Sequence, residues 1–96
     1  MGKVARPRPA RLGKKLLQIR EALDLSQNGM LWRLGLTESW DRSAISDYER
    51  GEREPPLPVL LEYALAANVY IDALVDDEVD LPARLPARRK SEGIKR

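Results

Sequence analysis

Basic side chains are concentrated at the two ends of this chain, where they could bind a polyanion through charge. Residues 1–15 carry six basic side chains and no acidic one, and residues 84–96 carry six basic side chains and one acidic one. These segments contribute +6 and +5 to a total of +2, which leaves −9 for the residues between them. Basic ends around an acidic centre favour a polyanionic partner that the ends contact. Solvated, disordered ends without a partner would have the same composition.

The residue types that most often carry out catalysis or hold a metal are absent from the sequence. It contains no Cys and no His, so the usual ligands of structural zinc and the most frequent general base are missing. It also has no glycine-rich phosphate loop and no nucleophile–base pair. We therefore expect a protein that is not an enzyme and uses no cofactor or metal. Because no apolar run approaches the roughly 20 residues of a membrane helix, we expect it to be cytoplasmic.

Five helices are predicted from the spacing of apolar residues and from capping residues. Apolar residues recur at helical intervals from Leu12 to Leu23, which indicates the first helix. Ser26 and Asp41 are suitable N-cap residues for the second and third helices, and Gly51 suits the left-handed position that ends the third. The predicted helices span residues 11–23, 27–34, 42–50, 57–67 and 71–75 or 76. The apolar stripe of the fourth helix is assigned to Leu60, Leu61, Ala64 and Leu65.

The composition and the predicted helices together divide the chain into three parts. Residues 1–10 are expected to be a disordered basic N-terminal arm, because they are polar, basic and contain two prolines. Residues 11–78 form the predicted helical domain, and residues 79–96 a basic C-terminal tail that contains proline. Three apolar residues of this tail are expected to pack back on the domain or on a second subunit: Val79, Leu81 and Leu85.

Three sequence elements occur in the order typical of one family of DNA-binding domains. The second helix opens with Leu25-Ser26-Gln27, the third ends in Glu49-Arg50-Gly51, and the Leu-rich fourth ends in Asn68-Val69. From Leu12 to Val75 the chain therefore resembles the phage repressor and Cro family of helix-turn-helix domains, the XRE family. The resemblance implies an all-α, five-helix, lambda-repressor-like fold. It also implies a sequence-specific DNA-binding transcription regulator.

The resemblance further implies which side chains contact DNA bases. In this fold the third helix lies in the major groove, so Arg42, Ser43 and Asp47 are assigned to base contacts. Arg42 suits O6 and N7 of guanine, although it could instead neutralise a phosphate. Ser43 could contact either a base or a phosphate. Asp47 could accept a hydrogen bond from cytosine N4, or it could pair with Arg50 or Arg42 on the helix surface.

The resemblance assigns four further residues to the DNA backbone: Gln27, Ser46, Arg50 and Arg53. Gln27 opens the second helix, whose N-terminus attracts a phosphate, and it is expected to brace the third helix as well. A polar first-turn residue on a solvated helix is the alternative interpretation. Arg20 and Glu49 match positions that often form an ion pair in related domains. We expect this pair to be structural and to fix the third helix to the first.

The segment between the second and third helices departs from the family pattern. Gly35 to Asp41 is longer by about four residues than the usual turn, and it contains Trp40. Trp40 is expected either to cover a gap between the helices or to contact a sugar or phosphate. Leu31 stands where the family prefers a small residue, which indicates a wider separation of the second and third helices. Trp32 is predicted to lie on the outer face of the second helix.

The leading functional hypothesis is a repressor that binds double-stranded DNA at a pseudo-palindromic operator. A single domain of this size makes few base contacts, so we expect a homodimer, at least on DNA. The dimer contact would come from the fifth helix and residues 79–85, or from cooperative binding on DNA. The second hypothesis is an antitoxin-type or partner-binding module without base readout. The acidic centre and Asp47 favour it, whereas the basic ends and Arg42 oppose it. No membrane partner is expected.

Overall fold

The fold was examined in a computed structural model, which describes residues 9–38 and 40–86. That part of the chain contains helices and no strands. The helices are α1 (Leu12–Ala22), α2 (Gln27–Arg33), α3 (Arg42–Glu49), α4 (Leu57–Ala67) and α5 (Asp72–Val75). The predicted all-α class and the five helices are confirmed, with ends that differ by one residue at most. The disorder expected of residues 1–10 falls mostly outside the described residues, but it does not extend to Ala10, whose backbone N–H donates to Asp77 Oδ2 at 2.9 Å.

The capping residues named from the sequence determine where α2 and α3 begin. The Ser26 hydroxyl oxygen accepts a hydrogen bond from the Gly29 backbone N–H at 2.9 Å. Asp41 Oδ1 accepts one from the Ser43 backbone N–H at 3.0 Å. Each bond satisfies an amide that has no partner within the helix. Gly51 adopts a φ of 75° directly after α3, a left-handed conformation that glycine adopts at little steric cost.

Helix α4 lies in the core, but its buried face differs from the predicted one. The buried side chains of α4 are Val59, Leu60, Tyr63, Ala64, Ala66 and Ala67. Leu61, which was assigned to the apolar stripe, is 47% exposed and shares its face with the exposed Leu57. The assignment of Leu61 was wrong because α4 is apolar on most of its circumference. Apolar spacing alone therefore could not identify the side that contacts the other helices.

Helix α1 packs closely against the C-terminal end of α3. A Cβ atom added to Gly13 would lie 2.8 Å from the Glu49 carbonyl oxygen and 3.0 Å from that of Tyr48. Both distances are shorter than a carbon–oxygen contact normally allows. Only glycine therefore permits this separation between the two backbones, and the separation fixes the position of α3 relative to α1.

Residues 76–86 pack against the domain through contacts with the buried Lys15 of α1 and through two apolar side chains of their own. The Lys15 ammonium donates hydrogen bonds to the carbonyl oxygens of Ala73 and Asp76, both at 2.9 Å, and of Val79 at 2.6 Å. All three of its protons can thus be satisfied, although the residue is 2% exposed. Leu81 lies in the hydrophobic core, and Leu85 packs against it. These two side chains therefore pack on their own chain rather than on a second subunit. No helix of the described residues is long and apolar enough to cross a membrane.

Candidate nucleic-acid interface

The outward face of α3 carries the residues that were assigned to DNA bases. Ala44, Ile45 and Tyr48 form the buried side of this helix, whereas Arg42 and Ser43 are exposed at its N-terminal end. Among residues 9–38 and 40–86, no side chain or backbone group pairs with the Arg42 guanidinium. Its donors are therefore open to a partner from outside this part of the chain, and the guanidinium geometry matches a bidentate acceptor.

Ser43 is held by the cap of α3, and this arrangement restricts what it can offer to a ligand. Its hydroxyl donates a hydrogen bond to Asp41 Oδ1, the same oxygen that accepts from its backbone N–H. The side-chain bond, followed by the backbone bond, lowers the pKa of Asp41 below its ordinary value of 3.8. Because an ionised carboxylate only accepts, the Ser43 hydroxyl proton is engaged and its oxygen remains available as an acceptor.

Asp47 lies one turn beyond Ser43 and holds two arginines. Its Oδ1 accepts a hydrogen bond from Arg50 Nη2 at 2.8 Å, and its Oδ2 accepts one from Arg53 Nη2 at 3.2 Å. Arg50 also donates to Glu52 Oε1 at 3.0 Å. We refer to Arg50 and Arg53, which are both held by Asp47, as the surface arginine pair. Since each oxygen of Asp47 already has a cationic donor, this geometry favours the pairing interpretation of Asp47 over the cytosine contact.

Glu49 lies two residues beyond Asp47 and points to the opposite side of α3, where it meets Arg20 of α1. Arg20 Nε donates to Glu49 Oε2 at 2.6 Å and Nη2 donates to Oε1 at 3.2 Å. The side chains are 18% and 5% exposed. The hydrogen bond to Glu49 is the main reason why the pKa of Arg20 is raised above its ordinary value. This two-point contact ties α1 to the end of α3.

Gln27 completes the contact from the first turn of α2. Its Nε2 donates to Glu49 Oε1 at 3.2 Å, and Arg20 Nη1 donates to the Leu25 carbonyl oxygen at 3.0 Å. We refer to Arg20, Gln27 and Glu49, which are all partly buried, as the inner network. It joins α1, α2 and α3, so the structure places Gln27 where it braces α3. The second N–H of the Gln27 amide is not used in this contact and could donate to a phosphate.

The long connector between α2 and α3 begins with a left-handed glycine. Gly35 has a φ of 75°, and the backbone N–H groups of Gly35 and Leu36 donate to the carbonyls of Trp32 and Leu31. These bonds end α2. Trp40, at the end of the connector, packs partly buried against the core, whereas Trp32 is exposed on the outside of α2, as predicted.

Two features of this surface could not be recognised from the sequence. The Arg53 guanidinium carbon lies 6.0 Å from the centroid of the Trp40 ring, although 12 residues separate them in the chain. The first described residues, Pro9 to Arg11, line a cleft of about 510 Å³ together with Tyr48, Arg50 and other residues up to Glu54. The N-terminal segment therefore lies beside the surface arginine pair.

Ser46, the remaining residue that was assigned to the DNA backbone, is partly buried in the middle of α3.

Comparisons with known proteins agree on the type of domain. Residues 16–74 match the sequence model of a family described as helix-turn-helix. The structure is similar to that of the P22 c2 repressor in complex with the synthetic operator 9T, with a TM-score of 0.60 and 27% identity over 69% of this chain and 94% of that chain. It is also similar to the restriction-modification controller protein C.AhdI from Aeromonas hydrophila, with a TM-score of 0.57 and 33% identity over 67% and 91% of the two chains. No curated protein sequence matches the chain.

Proposed function

The chain belongs to the XRE-type family of helix-turn-helix proteins, which are DNA-binding transcription regulators, and we propose that it represses transcription from a pseudo-palindromic operator. One observation carries the proposal. The inner side of α3 is fixed by the inner network, while Arg42 at its outer N-terminal end is exposed and unpaired among the described residues. A rigid helix with a free guanidinium is what base reading in the major groove requires.

Arg42 and Ser43 are the proposed base-reading residues. Arg42 would donate two parallel hydrogen bonds to O6 and N7 of a guanine, a contact worth about 1–3 kcal/mol of discrimination against another base. Ser43 would accept from a base amino group, because its own proton is directed to Asp41. The P22 c2 repressor, which is similar over 69% of this chain, was captured with a synthetic operator. This likeness supports an operator as the ligand of this chain too.

The proposed backbone contacts come from the first turn of α2, the middle of α3 and the residues that follow α3. Arg50 and Arg53 lie just beyond α3, and each keeps donors that Asp47 does not use. Gln27 would offer its second amide proton, and Ser46 its hydroxyl, to neighbouring phosphates. In this proposal Asp47 orients the two arginines, and its charge discourages bases that lack a donor at that position.

The chain is proposed to act as a homodimer on two half-sites. Half-sites read by such domains lie about 34–36 Å apart, one helical turn of DNA. Since Leu81 and Leu85 pack within their own chain, the apolar side chains left for a dimer contact include Val75 and Val79, which are exposed. Each completed complex would contain two chains per duplex.

Fluorescence anisotropy with the upstream DNA of the protein's own gene tests the proposal. We expect that DNA to bind more tightly than a scrambled duplex of equal length and composition, at every salt concentration used. Native mass spectrometry of the complex should show two chains per duplex. Equal binding to both duplexes that disappears as salt rises would contradict base reading and favour the partner-binding hypothesis.

A further inference from the structure

The connector between α2 and α3 contacts the loop after α3 through Trp40 and Arg53. The Arg53 guanidinium lies over the Trp40 ring at 6.0 Å, within the range of a cation–π interaction. Asp47 holds the same guanidinium from a second direction at 3.2 Å. The Arg53 side chain is nevertheless 46% exposed. It is thus oriented by two neighbours while it remains open to a ligand.

Arg53 and the start of α3 face a common groove. A groove of about 440 Å³ is lined by Glu38, Trp40, Asp41, Ser43, Ala44 and Arg53. Ser43, a proposed base-reading residue, therefore lies on the same groove as the oriented guanidinium. A DNA backbone that follows the edge of α3 would pass Arg53 as the bases meet Ser43.

We propose that Trp40 is a positioning residue that directs the Arg53 guanidinium to a DNA phosphate. This inference rests on the proposed function and deepens it, because it assigns a role to the connector. A free arginine loses side-chain entropy when it binds, and an arginine already held in place loses less. The guanidinium uses one of its N–H donors for Asp47, and its contact with the ring acts through charge rather than through a directed hydrogen bond, so other donors remain for phosphate oxygens.

Arg50 provides the internal contrast. It also pairs with Asp47, but its second partner is the Glu52 carboxylate at 3.0 Å rather than an aromatic ring. A phosphate that approaches Arg50 must compete with the carboxylates of Asp47 and Glu52, which both hold the same Nη2 atom, whereas Arg53 Nη2 is held by Asp47 at the longer distance of 3.2 Å. Arg53 is therefore the better-prepared phosphate ligand of the surface arginine pair.

A double-mutant cycle on the full chain with the upstream duplex tests this inference. Trp40→Leu should weaken binding about two- to tenfold, which corresponds to the cost of immobilising one flexible side chain on binding, and Trp40→Tyr should restore most of the affinity because it keeps an aromatic face. Arg53→Ala should reduce the slope of log K against log salt by about 0.9, the value for one phosphate. In the Arg53→Ala background, Trp40→Leu should have no further effect on binding.

The outcomes separate this inference from the proposed function. If Trp40→Leu weakens binding equally with and without Arg53, Trp40 acts through the fold and the inference is wrong. It is also wrong if Trp40→Leu leaves the affinity of the Arg53-containing protein unchanged. If the unaltered protein shows no preference for its upstream DNA, the proposed function itself fails. Thermal melts of each variant ensure that binding is measured on folded protein.

Discussion

Two carboxylates on α3, only two residues apart, pair with arginines on opposite sides of the helix. Glu49 points inward and holds Arg20 of α1 in a pair whose side chains are 18% and 5% exposed. Asp47 points outward and holds Arg50 and Arg53, whose side chains are 56% and 46% exposed. The same chemistry therefore fixes the helix on one side and arranges positive charge on the other. The two sides of the helix differ in how far the arginine and the carboxylate are exposed to solvent.

The largest expected effect comes from breaking the inner contact. Arg20→Ala leaves the Glu49 carboxylate buried without its cation, so we expect the free energy of unfolding to fall by about 3–5 kcal/mol. Arg50→Ala is the matched control, because it removes an arginine from an exposed pair and should lower stability by at most about 1 kcal/mol. Urea denaturation measures both. Equal stabilities for the two variants would remove the distinction between the two sides of α3.

A second test changes the inner side of α3 without touching a charge. Gly13→Ala places a Cβ atom 2.8 Å from the Glu49 carbonyl oxygen, and overpacking of this kind lowers stability by about 1–3 kcal/mol. Alanine otherwise favours a helix by up to about 1 kcal/mol over glycine, so a loss is diagnostic of the close approach. Gln18→Ala, on the exposed side of α1, is the control. A Gly13→Ala protein as stable as the parent would show that α1 and α3 are not held in this contact.

Contacts between residues that are close in the chain could be predicted from the local sequence, whereas contacts between distant residues could not. Ser26, Asp41 and Gly51 act on neighbouring residues, so the helix ends could be predicted from local sequence. Lys15 falls at the helical spacing of Leu12 and Ile19, on the buried face of α1, but the carbonyl oxygens that accept its hydrogen bonds lie 58 to 64 residues away. The acceptors that allow a lysine on this face therefore could not be predicted from the local sequence.

The candidate site divides in the same way. The contact of Asp47 with Arg50, which lies three residues further along the chain at the end of α3, was one of the two alternatives that the sequence left open. The pairing of Arg20 with Glu49 came from the family resemblance and not from spacing. The cation–π contact of Arg53 with Trp40 depends on the path of a connector that is longer than in the family pattern. That path follows from tertiary packing and has no counterpart in a shorter turn.

The smallest expected effect concerns acid stability at the junction of the two ends of the domain. Backbone N–H groups of Ala10 and Arg11 donate to Asp77 and lower its pKa below the ordinary 3.8. A carboxyl group with a lowered pKa in the folded state adds stability above its ordinary pKa and loses it as pH falls through the folded value. Asp77→Asn should therefore reduce the loss of stability below about pH 3.8. Glu62→Gln, on the exposed side of α4, is the control and should lose stability at low pH as the parent does. If both variants follow the parent's acid profile, Asp77 does not anchor the N-terminal segment.

The most direct test of the central claim compares two arginines on the outer side of α3. Arg42→Ala should abolish most of the preference for the upstream duplex over a scrambled one, because a bidentate base contact is worth about 1–3 kcal/mol. Arg50→Ala should weaken binding to both duplexes by the same factor, because a phosphate contact carries no sequence information. Anisotropy titrations of both variants on both duplexes measure these effects. An Arg42→Ala protein that keeps the parent's preference would contradict base reading by the N-terminal end of α3.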